Sequence, residues 1–133
     1  MRRFSKAIPI LLAMAVASPA AAEFKLTVKS WGNIPACNSG SPNKVGNPEF
    51  AFSGVPAGTT SIQFQMRDLD APSYNHGGSK RLALSGDGKL PFGTFTYKSP
   101  CPPGGVHTYE WTATARAGNK VVATAKARRA YPE

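Results

Sequence analysis

The sequence is poor in the residues that most enzyme and metal sites use. Its 133 residues include two His, two Cys and seven acidic residues. Neither the Gly-x-Ser-x-Gly turn of α/β-hydrolases nor the His-Glu-x-x-His motif of zinc proteases occurs. The spacing of Asp68, His76 and His107 fits no zinc pattern. We therefore expect no catalytic residues, no cofactor and no metal. A triad of Ser99 or Ser73 with His107 and Asp68 is the alternative.

Long hydrophobic runs are also scarce, and the one that stands out lies at the N-terminus. Basic residues up to Lys6 precede an apolar stretch, residues 7–17, and three alanines end at Ala22. The stretch is shorter than the ~20 residues of a membrane-spanning helix, and the layout is typical of a secretory signal peptide. We predict a signal peptide over 1–22, cleaved after about Ala22, and a periplasmic or secreted single domain over 23–133. An uncleaved anchor is the alternative. No transmembrane segment is expected after cleavage.

Both cysteines, Cys37 and Cys101, lie in the predicted mature chain. Outside the cytoplasm an even cysteine pair usually forms a disulfide, and two free thiols are the less favoured alternative. A small domain benefits from such a bridge, because it buries a limited core. Closing a loop of roughly 60 residues is worth ~4 kcal/mol as an upper figure.

Helical periodicity is hard to find beyond the N-terminus, whereas strand periodicity is clear. Apolar and polar residues alternate in four segments, 24–29, 62–67, 109–116 and 121–128. Thirteen Gly and twelve Pro supply turns between them. The pattern predicts an all-β protein, a sandwich or barrel, in which the last two segments form a hairpin. We interpret residues 38–47 as a polar loop.

Charge is unevenly distributed between the two signs. Lys and Arg number 16 against seven Asp and Glu, for a formal net charge of +9. A basic surface attracts lipid headgroups and other anions, although solubility alone is the simpler explanation. Specific nucleic-acid binding is not expected, because small apolar residues rather than aromatics accompany the basic residues of the last strand.

Three motifs carry a resemblance to a known family. Asp-Leu-Asp-Ala-Pro at 68–72 follows a predicted strand, and Ser-Pro-Cys-Pro-Pro at 99–103 leads into His-Thr-Tyr at 107–109. Ser-Gly-Val-Pro-Ala-Gly-Thr at 53–59 precedes the first of these. In this order the motifs resemble the phosphatidylethanolamine-binding protein family, in its bacterial Raf-kinase-inhibitor-like branch, over residues 37–115. The resemblance implies an antiparallel β-sandwich with a small anion pocket near one end.

The resemblance also implies which residues form the pocket. A His donates to a phosphate oxygen, a Tyr hydroxyl adds a donor, and an Asp fixes the His tautomer or accepts from a headgroup amine. Prolines keep the loop rigid. The candidate ligand-binding residues are Asp68, Asp70, His76, Pro100, His107 and Tyr109.

The sequence departs from the family pattern at four places. Leu69 stands where the family has Pro, and Thr108 where it has Arg. The His-Trp pair that normally follows the Asp motif is missing, and His76 is the candidate replacement, although it could instead point into solvent. The C-terminal helix of larger relatives is absent. Asp68 and Asp70 have an alternative role as turn caps, and Tyr109 as a core residue.

These observations favour an exported, non-enzymatic protein that binds a small anionic ligand, a phosphate or a lipid headgroup. An inhibitor or regulator of another protein is the alternative, since relatives include kinase and protease inhibitors. An exposed apolar patch beside residues 100–105 would indicate such a partner.

Overall fold

Every regular element in the described part of the protein is a β-strand. The computed structural model describes residues 9–10, 12–13, 22–37 and 40–133. The described residues form nine strands and no helix: β1 (Lys25–Val28), β2 (Lys44–Gly46), β3 (Phe50–Ser53), β4 (Ser61–Asp68), β5 (Lys80–Leu82), β6 (Gly88–Leu90), β7 (Thr96–Lys98), β8 (His107–Ala117) and β9 (Lys120–Tyr131). The prediction of an all-β chain without a C-terminal helix is confirmed. No helix of the described residues is long and apolar enough to cross a membrane.

The strands form three antiparallel sheets. The largest has the order β5-β4-β8-β9, the second β1-β3-β6, and the third pairs β2 with β7. The hairpin predicted near the C-terminus is the β8–β9 pair, with a register irregularity between Ala115 and Arg116. The predicted signal peptide, residues 1–22, falls almost entirely outside the described residues and stays a prediction.

Alternating apolar residues build the core between the sheets. On β4, Ile62, Phe64 and Met66 are buried, and their exposed neighbours face outward. The Phe50 ring of β3 stacks on Phe64 with centroids 5.0 Å apart, and meets Trp111 of β8 edge-on at the same distance. Stacked and edge-to-face aromatic pairs are the arrangements that ring quadrupoles favour. The two large layers are therefore joined through a continuous aromatic core.

Five of the nine strands were not predicted, and each of them has only three or four residues. The interpretation of residues 38–47 as a loop is wrong at its C-terminal end, where Lys44–Gly46 forms β2 and pairs with Thr96–Lys98. In β2 only Val45 is buried. Three residues are too few to show a period of two, so the sequence pattern alone does not reveal such strands.

A fully buried polar side chain fastens the turn after β6 to the start of β3. The Asn47 amide nitrogen donates to the Pro48 and Pro91 carbonyls, and its oxygen accepts from the Phe95 amide. The Asn47 backbone adds hydrogen bonds to Phe95 and Gly93. Buried polar groups are tolerated when they are paired in this way.

We expect Asn47→Ala to lower the free energy of unfolding by about 2–3 kcal/mol, because the backbone partners would stay buried without a hydrogen bond. Urea denaturation measures this. Asn33→Ala, at an exposed loop position, is the matched control and should change stability by less than about 0.5 kcal/mol. Equal effects of the two substitutions would contradict this role of Asn47.

The predicted disulfide is present. Cys37 and Cys101 are bonded, with their Cα atoms 5.5 Å apart and a sequence separation of 64. The bond ties the segment after β1 to the loop before β8. A disulfide is consistent with a compartment outside the cytoplasm.

The double variant Cys37→Ser/Cys101→Ser should unfold with a free energy about 4 kcal/mol lower, an upper figure set by the entropy of a chain freed from that loop. Urea denaturation of the oxidised protein and the variant tests this. Coincident unfolding curves would show that the bridge contributes nothing.

Candidate functional site

The candidate site lies where the inward rows of β4 and β8 end. The buried row of β4 continues through Met66 to Asp68, which is also buried. Asp68 is the register partner of Tyr109, and the inward row of β8 begins two residues earlier with His107. Antiparallel pairing therefore brings a carboxylate and an imidazole together at one end of the core.

Asp68 and His107 form the central pair of the site. Nδ1 of His107 lies 2.6 Å from Oδ2 of Asp68. Because a carboxylate only accepts, Nδ1 carries the proton, and Nε2 is left without a hydrogen-bond partner among the described residues. Nε2 of His107 therefore accepts a hydrogen bond when the ring is neutral and donates one when the ring is protonated.

Carboxylate oxygens of Asp68 and Asp70 also accept hydrogen bonds from backbone amides, those of the loop after β4 and that of Thr108. Oδ1 of Asp68 accepts from the amides of Asp70 and Ala71, at 2.9 and 3.2 Å. Oδ2 of Asp70 accepts from the Thr108 amide at 2.8 Å. Both aspartates therefore cap backbone groups. The ligand atoms of Asp68, Asp70 and His107 lie within 4.8 Å of one another, but these hydrogen bonds already engage one atom or more of each residue.

His76 enters the site from the loop between β4 and β5. It is buried, and its Nδ1 lies 2.9 Å from the Lys98 carbonyl, while the Lys98 amide donates to the His76 carbonyl. Nδ1 therefore donates, which makes Nε2 the acceptor of the ring. Burial lowers the pKa of His76 against smaller opposing effects of the Lys98 hydrogen bond and the Asp68 charge. Burial thus favours the neutral form of His76.

These side chains surround a pocket of about 350 Å³. Four of the six predicted ligand-binding residues line it: Asp68, Asp70, His76 and His107. Tyr74, Ala71, Cys101, Pro103, Pro42 and Gly40 complete the wall. No Lys or Arg is among the lining residues, so the positive charge available to a ligand here is that of a protonated histidine.

The other two predicted residues lie behind the pocket. Pro100 and Tyr109 are fully buried and are not part of its lining. The Tyr109 ring meets the His76 ring edge-on, with centroids 5.7 Å apart. Burial, and then the negative charge of Asp68, raise the pKa of Tyr109, so its phenol stays neutral. Tyr109 supports the imidazoles from the core.

Comparison with known proteins identifies solved structures of the same fold. No protein-family model and no curated protein sequence matches the chain. Among solved structures, the Chlamydia trachomatis protein CT736, described as a phosphatidylethanolamine-binding protein homolog, is 23% identical with a TM-score of 0.59, over 84% of this chain and 98% of its own. E. coli YbcL, described as a new member of the mammalian family, is 19% identical with the same TM-score, over 83% and 98%.

The chain has the phosphatidylethanolamine-binding protein fold. The resemblance inferred from the three motifs is thus confirmed at the level of the fold. At these identities the ligand has to be argued from the residues of this chain.

One departure from the family pattern, Leu69 in place of Pro, has a structural use here. The Leu69 amide, a donor that Pro lacks, bonds to the Thr108 carbonyl at 2.9 Å and extends the β4–β8 pairing. The Thr108 amide in turn binds Asp70. The segment before β8 is therefore held to the Asp motif by backbone groups.

Sequence reasoning missed the aromatic and loop part of the wall. The Tyr74 ring lies 4.9 Å from the His76 ring, centroid to centroid, and Tyr74 is 44% exposed. The sequence signal for a role of Tyr74 in the site was its position in the same Gly-containing loop as His76. Gly40 and Pro42 also line the pocket, and no local sequence pattern indicates this, because tertiary packing near the disulfide brings them there.

The lowered pKa of His76 predicts a loss of stability in acid. The unfolded chain takes up a proton near pH 6.5 and the folded chain does so only at lower pH, so the free energy of unfolding falls as the pH drops below about 6.5. One such group contributes a slope of at most about 1.4 kcal/mol per pH unit. Urea denaturation from pH 7.5 to 5 should show a shallower slope for His76→Asn, whose amide can still donate to Lys98. Identical slopes would contradict the prediction.

Proposed function

We propose that this chain is an exported, non-enzymatic binding protein whose pocket holds a small phosphate-bearing ligand of the phospholipid-headgroup type. The observation that carries the proposal is the Asp68–His107 pair, which leaves one imidazole nitrogen of His107 free in a preformed pocket. The fold supports a place among binding proteins.

The pocket chemistry favours a ligand that carries both signs of charge. Nε2 of protonated His107 donates to a phosphate oxygen, and Asp68 balances the charge on the ring. Asp70 lines the same pocket, and its Oδ1 has no hydrogen bond within the described residues. That oxygen and the neutral Nε2 of His76 are acceptors suited to an ammonium group. Inorganic phosphate would accept a hydrogen bond from the same His107 but would be repelled by two carboxylates, with no ammonium group to compensate. O-phosphorylethanolamine should therefore bind more tightly.

The proposed location rests on two independent features. The N-terminal sequence has the layout of a signal peptide, and the Cys37–Cys101 disulfide borders the pocket through Cys101. An oxidising compartment, periplasmic or extracellular, suits both.

Titration of the oxidised protein from residue 23 onward, followed by the ring signals of His76 and His107 in NMR spectra, tests the pocket. O-phosphorylethanolamine should give saturable shifts of both rings, and phosphate weaker ones. His107→Gln should weaken binding about 10- to 100-fold, since a hydrogen bond to a charged group is worth about 1.5–3 kcal/mol.

Val106→Ala serves as the matched control, because Val106 precedes His107 in the chain but is exposed and outside the pocket lining. It should bind like the parent protein. Absence of any shift at millimolar O-phosphorylethanolamine would refute the proposed function. A protein partner would then be the leading alternative, although Val106 is the only large exposed hydrophobic residue near 100–105 in the described part of the chain.

A further inference from the structure

A second concave surface, outside the pocket, gathers positive charge. It is a groove of about 300 Å³ lined by Pro42, Lys44, Gly77, Lys80, Thr96, Tyr97 and Lys98. Three of these seven residues are lysines and none is acidic. We call this surface the lysine groove.

Strand pairing forces two of the lysines together. In the β2–β7 sheet Lys44 is the direct register partner of Lys98, and both side chains are exposed on the face opposite the buried Val45 and Tyr97. Directly opposed residues have Cβ atoms about 4.5–5.5 Å apart, and like charges in this position destabilise a sheet. Lys80, the first residue of β5, adds a third ammonium to the same groove.

No acidic side chain in the described part of the chain pairs with the groove lysines to offset their mutual repulsion. Within the described residues no salt bridge or side-chain hydrogen bond involves Lys44, Lys80 or Lys98. On the four-stranded sheet, by contrast, Lys126 and Arg128 share the carboxylate of Glu110.

Several cations of the four-stranded sheet have partners within the protein. Burial acts to raise the pKa of Glu110, but the hydrogen bond from Arg128 and the charge of Lys126 outweigh it and lower that pKa. Arg81 and Arg116 on the same sheet bond to Ser61 and Gln63. The lysine groove, by contrast, has three lysines and no acidic residue in its lining, so its charge is left for an outside anion.

We propose that the lysine groove binds an anionic phosphate group. Each ammonium supplies up to three donors, and the Thr96 hydroxyl at the groove supplies another. Lysines bind phosphate as compact point charges and need no fixed bidentate geometry, which suits three flexible side chains. A bound phosphate also offsets the Lys44–Lys98 repulsion, so that binding and stability are linked.

The lysine groove is separate from the pocket but adjoins it. Pro42 lines both surfaces, and the Lys98 backbone holds His76 in the pocket wall. The groove proposal does not depend on the pocket binding its own ligand. The phosphate group can belong to free phosphate or to a lipid headgroup, and the two sources are separated by experiment.

Phosphate titration of the oxidised protein, followed by backbone amide shifts at low ionic strength, tests the site. Saturable shifts at Lys44, Gly77 and Lys98 are expected. The double variant Lys44→Gln/Lys98→Gln should bind at least 10-fold more weakly at these positions, while its urea midpoint is equal to or above that of the parent protein.

The matched control is Lys25→Gln/Lys89→Gln, which removes the same charge from exposed positions of the three-stranded sheet. It should leave the groove shifts within twofold of the parent. Equal weakening of phosphate binding in both double variants would show that binding depends on net charge rather than on the groove lysines, and would overturn the proposal. Loss of the groove shifts in His107→Gln would overturn it as well, because phosphate would then be reporting only the pocket.

Sedimentation with vesicles separates the two sources of phosphate. If a lipid headgroup occupies the groove, phosphatidylglycerol vesicles should retain the protein, phosphatidylcholine vesicles should not, and Lys44→Gln/Lys98→Gln should release it. Saturable phosphate shifts without vesicle binding would assign the site to free phosphate. Absence of both would refute the lysine groove as an anion site.

Discussion

The pairing of β4 with β8 is the constraint on which both the fold and the candidate site depend. Its eight-residue register sets Asp68 opposite Tyr109 and so places His107 beside the carboxylate. A slip of one residue would turn every side chain of β4 to the other face, exposing Phe64 and removing Asp68 from the pocket. The aromatic core, in which Phe64 stacks on Phe50, therefore also determines the geometry of the Asp68–His107 pair.

Loops complete the pocket, and covalent and polar links hold them. The Cys37–Cys101 bond connects two of the pocket-forming segments, and the paired backbone groups of His76 and Lys98 fix a third. The same backbone link places Lys98 in the groove next to the pocket. A strongly basic chain thus presents a pocket containing two carboxylates beside a groove containing three lysines, so net charge alone says little about either surface.

Much of the fold was predictable because the long strands alternate cleanly. The four alternating segments correspond to β1, β4, β8 and β9, and the cysteine pair forms the expected bridge. Short strands such as β2 were missed, since three residues show no period. In the site, the order of the sequence motifs predicted Asp68 and His107 as ligand-binding residues, and both line the pocket. Pro100 and Tyr109 belong to the same motifs but are buried behind it.

By itself the sequence determined the all-β class, the half-buried faces of the long strands and the residue types of the site, because these follow from local periodicity and turn chemistry. Tertiary structure alone decided which way His76 points, which residues wall the pocket, and that Lys44 and Lys98 stand side by side. Such facts depend on contacts between positions far apart in the chain. Local sequence preferences do not specify those contacts, whereas strand register and core packing do.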